Sequence, residues 1–235
     1  YGLGSGSFQV ATDGVRGSLA QDVFNVTLHV RPSWIGLVLT LYRFIDALSD
    51  PLMGKISDNF RSRWGRRRPF IFVGSFLTAL AYILVWQVPT DWSHWNIMVY
   101  YMVALVFFDI CNTIQTVPYH TLGLEMTADY HERTVISGYK MFFSFGFTLI
   151  LPWVFRLAQA DYFRGDTMAG VRFLSYFIAI MIVVGGILPA ILCKERYYQI
   201  AKKQSKVRFW TGMKMTFSNR PFLMLTGVLL LVGIG

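Results

Sequence analysis

The ten residues Tyr42-Arg-Phe-Ile-Asp-Ala-Leu-Ser-Asp-Pro51 hold the densest chemistry in the chain. Arg43, Asp46 and Asp50 recur at spacings of three and four, so a helix carries all three on one face with Ser49 beside Asp50. Two carboxylates one turn apart repel each other unless something positive lies between them. Arg43 can neutralise one, and a bound Na⁺ or a proton can neutralise the other. The plainer alternative is an internal Arg–Asp salt bridge that only holds helices together. A second polar stripe, Asp109, Asn112, Thr113 and Thr116, shares the helical period. Hard oxygen ligands from Asp46, Ser49, Asp50 and Thr113 would suit Na⁺, whereas a lone desolvated carboxylate would suit H⁺. For Asn112, Thr113 and Thr116 the alternative is ordinary hydrogen bonding between helices. Gln9, Asp13 and Arg16 could point into the same cavity and meet a solute's hydroxyls, or Asp13 and Arg16 could pair with one another.

These residues matter because of what surrounds them. Of 235 residues, 54% are apolar and 17% aromatic, and the 15% that are charged fall well below the roughly 25% of a soluble domain. A bilayer core needs about 20 mostly apolar residues per helix. That length recurs at 8–29, 34–54, 69–88, 95–118, 134–155 and 171–193, with a shorter seventh run at 221–235. The expectation is an all-helical membrane protein with a six-helix bundle over 1–193, a basic cytoplasmic linker over 194–220 and the start of a second bundle from 221. An ionisable group inside such a span is a functional candidate by default, because the hydrocarbon penalises it by several kcal/mol.

The net charge of +9 is explained by position. Most Lys and Arg lie between spans two and three, after span four and after span six, all on one side of the membrane. Short loops rich in these residues stay in the cytoplasm, so the N-terminus is expected there too. The same distribution argues against nucleic acid as a partner. Cys111 and Cys193 lie inside apolar runs and form no metal or disulfide framework of recognisable spacing. No catalytic constellation is recognisable, so an enzyme is not expected, and neither is any cofactor beyond a coupling ion.

Two loop motifs are more specific. Asp46-Ala-Leu-Ser-Asp-Pro-Leu-Met-Gly-Lys-Ile-Ser-Asp58, followed by Arg61-Ser-Arg-Trp-Gly-Arg-Arg-Arg-Pro69, resembles the major facilitator loop signature of glycoside-pentoside-hexuronide cation symporters, the melibiose-permease family. Val117-Pro-Tyr-His-Thr-Leu-Gly-Leu-Glu-Met-Thr-Ala-Asp-Tyr-His-Glu-Arg133 is similar to that family's loop between spans four and five. The resemblance implies a symporter of the inner membrane that moves a sugar-like solute with Na⁺ or H⁺ by alternating access. It implies cation ligands at Asp46, Ser49, Asp50 and Thr113, with Ser49 where an Asn often stands. Gln9, Asp13, Arg16, Asp109, Thr116, His120 and Lys140 would face the solute. Here the sequence departs from the pattern: Thr116 occupies an expected acid, His120 an expected aromatic, Lys140 stands close to a family Arg, and the acidic position of span one falls near Gln9. The departures leave room for another sugar, a uronide or a different solute.

Around the first loop, Asp58 with Arg61, Arg66, Arg67 and Arg68 can form a charge network that pins helices in one state. Glu125, Asp129, Glu132 and Arg133 could form a companion network. A six-span half cannot enclose a site at the bilayer midplane alone, so either further chain completes it or the fold serves as a non-transporting structural or assembly subunit of a larger membrane complex.

Overall fold

The computed structural model describes residues 1–127, 129–163, 165–193 and 218–234, in two units, Tyr1–Tyr198 and Gln199–Gly235. Regular structure among the described residues is helical apart from one bridge between Ser62 and Gly65. The first unit runs α1 (Gly2–Arg16), α2 (Ser18–Gln21), a π-helical stretch (Asp22–Thr27), α3 (Pro32–Asn59), α4 (Arg68–Trp86), α5 (His94–Glu125), α6 (Tyr130–Thr148), α7 (Ile150–Ala158) and α8 (Thr167–Leu192). The second unit contributes the helix Arg220–Ile234. The expected linker at 194–220 lies almost wholly outside the described residues.

Arg68–Trp86, His94–Glu125, Tyr130–Ala158 and Thr167–Leu192 are long and apolar enough to cross a bilayer. The first two expected spans do not meet that standard, for a physical reason: Asp13, Arg16 and Asp22 interrupt one, and Arg43, Asp46, Asp50, Lys55 and Asp58 crowd the other. The first is also broken. At Gly17 the backbone leaves the helix, its amide bonding back to the Asp13 carbonyl, and a Cβ there would run into that carbonyl. Tyr101, fully buried on α5, donates its hydroxyl to the Val15 carbonyl at the break (2.7 Å).

Packing sorts the helices by role. α4 lies between α5 and α8, α1 packs on α6 and α8, and α3 packs on α5. Small residues allow the close crossings: a Cβ on Gly4 would meet the Gly185 carbonyl at 2.7 Å, and one on Gly74 would meet the Gln115 backbone at 2.9 Å. The core is aromatic, with Phe24, Tyr82, Trp86, Tyr101 and Phe108 all fully buried. By contrast α6 buries none of its residues within this unit and α3 only five of 28. The two helices with the most open faces thus flank α1 and α5, the helices that carry the polar stripes.

Candidate functional site

The two stripes meet across α3 and α5. The Thr113 hydroxyl donates to the Asp50 carboxylate at 3.1 Å and lies 3.5 Å from the Ser49 hydroxyl, which itself bonds the Asp46 carbonyl at 3.1 Å. Thr113 is buried, Ser49 and Asp46 are half-buried, and Asp50 is exposed on this unit. Pro51 follows directly. Lacking an N–H, it leaves the carbonyl of Ala47, the residue next to Asp46, without its usual helical donor. Pro118 does the same for Ile114 on α5. Two carboxylates, two hydroxyls and freed carbonyls make an oxygen-only set, the ligand type of a hard cation. The sequence motif contained both prolines, but their effect on carbonyl supply shows only once the helices are seen to continue through them.

Arg43 does not enter this group. It is exposed and has no carboxylate partner among the described residues, so neither Asp46 nor Asp50 is neutralised from its own helix. The cation facing this interface comes from α1. Arg16 pairs with Asp109, and its guanidinium stacks on the Tyr42 ring at 4.6 Å. Asp109 is 0% exposed and Arg16 17%. Their pairing ties α1, α3 and α5 together one helical turn from Thr113, and it replaces the local Asp13–Arg16 pair that the i, i+3 spacing allowed. Asp13 instead accepts two hydrogen bonds from the Gln9 amide (2.9 and 3.0 Å) and one from Thr148 (3.2 Å). Tyr42 and Thr148 carry no chemistry of their own in sequence, and only the helix crossings give them a part.

The seven expected solute residues therefore do not converge. Arg16 and Asp109 pair with each other, Gln9 and Asp13 form a polar patch on α1, and Thr116 turns its hydroxyl to the Asn112 carbonyl of its own helix (2.9 Å). His120 and Lys140 do come together, Nζ to Nδ1 at 3.1 Å, on the wall of a cavity of about 260 Å³ between α1, α5 and α6.

At the Arg68 end the charges cluster as the loop motif suggests, with two changes. Arg67, 3% exposed, reaches Asp58 at 3.1 Å and Glu125 at 2.9 Å. Arg66 holds Glu125 at 2.7 Å and lies 3.8 Å from Asp58. Arg68 binds the Ala190 and Ile191 carbonyls at the end of α8 (2.5 and 2.7 Å), where a cation complements the helix dipole. Gly65, at φ 105°, supplies the turn that brings these three arginines back toward α3 and α5. Arg61 is exposed and forms no ion pair among the described residues, so it stands outside the cluster. The expected companion network is not one either. Asp129 caps α6 by accepting from the His131 and Glu132 amides, Glu132 accepts from Thr127, and Arg133 donates to the Thr127 carbonyl at 2.9 Å. Glu125 belongs to the Arg66–Arg67 cluster instead.

Residues 17–234 match the model of a family described as MFS/sugar transport protein. The chain is 30% identical over 197 residues to an uncharacterized symporter of Bacillus subtilis, YnaJ, covering 81% of this chain and 41% of that one. It is 27% identical over 205 residues to a putative glycoside/cation symporter of Escherichia coli, YagG (84% and 42%). It is also 23% identical over 263 residues to the sodium-dependent lysophosphatidylcholine symporter 1 of Xenopus tropicalis (97% and 50%). The chain spans about half the length, or less, of the curated relatives it matches. Those relatives are transporters rather than enzymes, and the chain's multi-pass apolar helices agree with that class.

Proposed function

We propose, for a chain that belongs to the MFS/sugar transport protein family, that it is the N-terminal six-helix bundle of a secondary symporter. It moves a solute, a glycoside-like compound by analogy with relatives named for such cargo, together with Na⁺ or H⁺ by alternating access. The N-terminus faces the cytoplasm on the strength of the Lys and Arg distribution, and 194–220 links this bundle to a second one.

The observation that carries the reading is the juxtaposition of Asp46, Ser49, Asp50 and Thr113 across α3 and α5, with a hydroxyl on Asp50 but no ion pair to it among the described residues. Such a pair of carboxylates is stable in a membrane only when a cation or a proton joins it. A Na⁺ would take oxygens from Asp46, Asp50 and their hydroxyl neighbours; a proton would need Asp50 alone. Substrate and cation couple if each favours the other, by about 1–3 kcal/mol, and linkage makes the effect mutual. The Arg66–Arg67–Asp58–Glu125 cluster sets the balance between states without touching solute, because it lies at the far end of α3 and α5. The assembly-subunit alternative gains nothing from the relatives, which are named as symporters.

Solute-binding calorimetry on the full-length protein, with and without Na⁺ and across several pH values, tests this. Mutual enhancement of solute and one ion is the expected result and identifies the ion. Indifference to both ions contradicts symport.

A further inference from the structure

We infer that Asp109 sets the affinity of the cation site without touching the ion, by holding Arg16 away from Asp46 and Asp50. Arg16 is thereby an internal rival of the coupling ion, and Asp109 is the positioning residue that keeps it off the site. This rests on the transport reading above.

The Arg16 guanidinium lies one layer from the carboxylate pair. It stacks on the Tyr42 ring at 4.6 Å and pairs with Asp109. Asp46 follows Tyr42 by one turn of α3, and Thr113, which donates to Asp50, follows Asp109 by one turn of α5. One turn is a rise of about 5.4 Å, and the Arg16 charge already acts on the Asp50 carboxylate. Arg16 Nε is buried and makes no hydrogen bond among the described residues, so the side chain has a donor to spare.

The difference between the acids decides where Arg16 rests. Asp109 is 0% exposed, and apart from Arg16 neither of its oxygens has a partner among the described residues. Asp50 is exposed on this unit, and Coulomb attraction weakens as the surroundings become more polarisable. Arg16 therefore favours Asp109, and the pair on α3 stays open to an ion. Without the Asp109 charge, Arg16 becomes an unpaired cation inside the bundle, disfavoured by several kcal/mol. Asp13, three residues earlier on α1, is held by Gln9 and Thr148. Asp46 and Asp50 repel one another and gain from any cation placed between them. A guanidinium there neutralises the two carboxylates as the ion would, and it excludes the ion.

The test measures radioactive-sodium affinity and unfolding temperature on the full-length protein. Asp109→Asn should weaken sodium binding about tenfold or more, since Arg16 then occupies the site for most of the time. Adding Arg16→Gln to Asp109→Asn should restore sodium affinity to within about threefold of the wild type. Asp50→Asn should leave the unfolding temperature unchanged alone but lower it in the Asp109→Asn background, where it removes the acid that Arg16 has turned to. Unchanged sodium affinity in Asp109→Asn, or a loss that Arg16→Gln does not reverse, overturns the inference. So does failure of the Asp109→Asn protein to fold, with or without Arg16, because Asp109 is then a structural residue. If the wild type binds no sodium and the unfolding temperatures still couple Asp50 to Asp109, sodium symport falls and the alternative resting place of Arg16 stands. If the wild type binds sodium and no coupling is seen, the transport reading stands alone.

Discussion

Asp109 and Asp50 meet the same helix interface one turn apart, and they are treated in opposite ways. Asp109 is fully buried and answered by Arg16, whose guanidinium is itself stacked on Tyr42. Asp50 has a threonine hydroxyl, a second acid one turn away on its own helix, and no basic partner among the described residues. One carboxylate is charge-paired by the protein and the other is left with coordinating capacity. A buried ion pair is weak evidence for stabilisation, since desolvation offsets much of the attraction, but removing one partner is severe. An unsaturated carboxylate pair has the reverse profile: of little consequence to the fold, and decisive for what it can hold.

The contrast can be broken or sharpened by substitution. Arg16→Gln strands the Asp109 charge inside the bundle and should destabilise by about 3–5 kcal/mol, read as a large drop in thermal unfolding temperature in detergent. A change as small as that of a surface residue would dissolve the distinction drawn between the two acids. Arg67→Gln removes the buried link between Asp58 and Glu125. Because Asp58 is 55% exposed the effect on stability is screened to about 1–2 kcal/mol. The more telling readout is conformational, namely faster labelling of a cysteine placed at Ser137 as the helix ends separate. Unchanged labelling would remove the cluster from gating.

Smaller still, Thr113→Val deletes the hydroxyl that orients Asp50 and should weaken the ion's effect on solute binding by about 1 kcal/mol, near fivefold, without altering the fold. Arg61→Gln should change both stability and labelling within about 0.5 kcal/mol, as expected of a solvated side chain. An Arg61 effect matching that of Arg67 would mean that the cluster extends further than its contacts show.

What was legible in the sequence follows from the range of each interaction. Asp46, Ser49 and Asp50 could be placed on one face because helical spacing alone decides it, and Thr113 joined them by the same period on another helix. Asp109 with Arg16 was not legible as a pair. Both were singled out as charges in a membrane, but which of several acids Arg16 would answer depends on how α1 crosses α5, and local spacing favoured Asp13. Arg43 was assigned to its helical neighbour by the same local logic, and the tertiary arrangement leaves it exposed. The Asp129-Tyr-His-Glu132 segment carries a local signal of its own: an acid followed three residues later by Glu at a helix start is a capping pattern, and capping is the part Asp129 plays. The break at Gly17 and the π-helical stretch after it, in a span that also carries Asp13, Arg16 and Asp22, have no counterpart in the apolar pattern, and α1 nonetheless packs on α6 and α8.

The central claim is that Asp46 and Asp50 together hold a small cation, and equilibrium binding of radioactive sodium to the full-length protein tests it most directly. If sodium is the coupling ion, the wild type should bind it saturably and in competition with protons. Asp50→Asn should abolish that binding while unfolding at the wild-type temperature, and Asp46→Asn should weaken it. If the proton is the coupling ion, sodium will not bind, and Asp50→Asn will instead eliminate the proton uptake that accompanies solute binding. Ion or proton binding that survives intact in the Asp46→Asn, Asp50→Asn double variant would contradict the account.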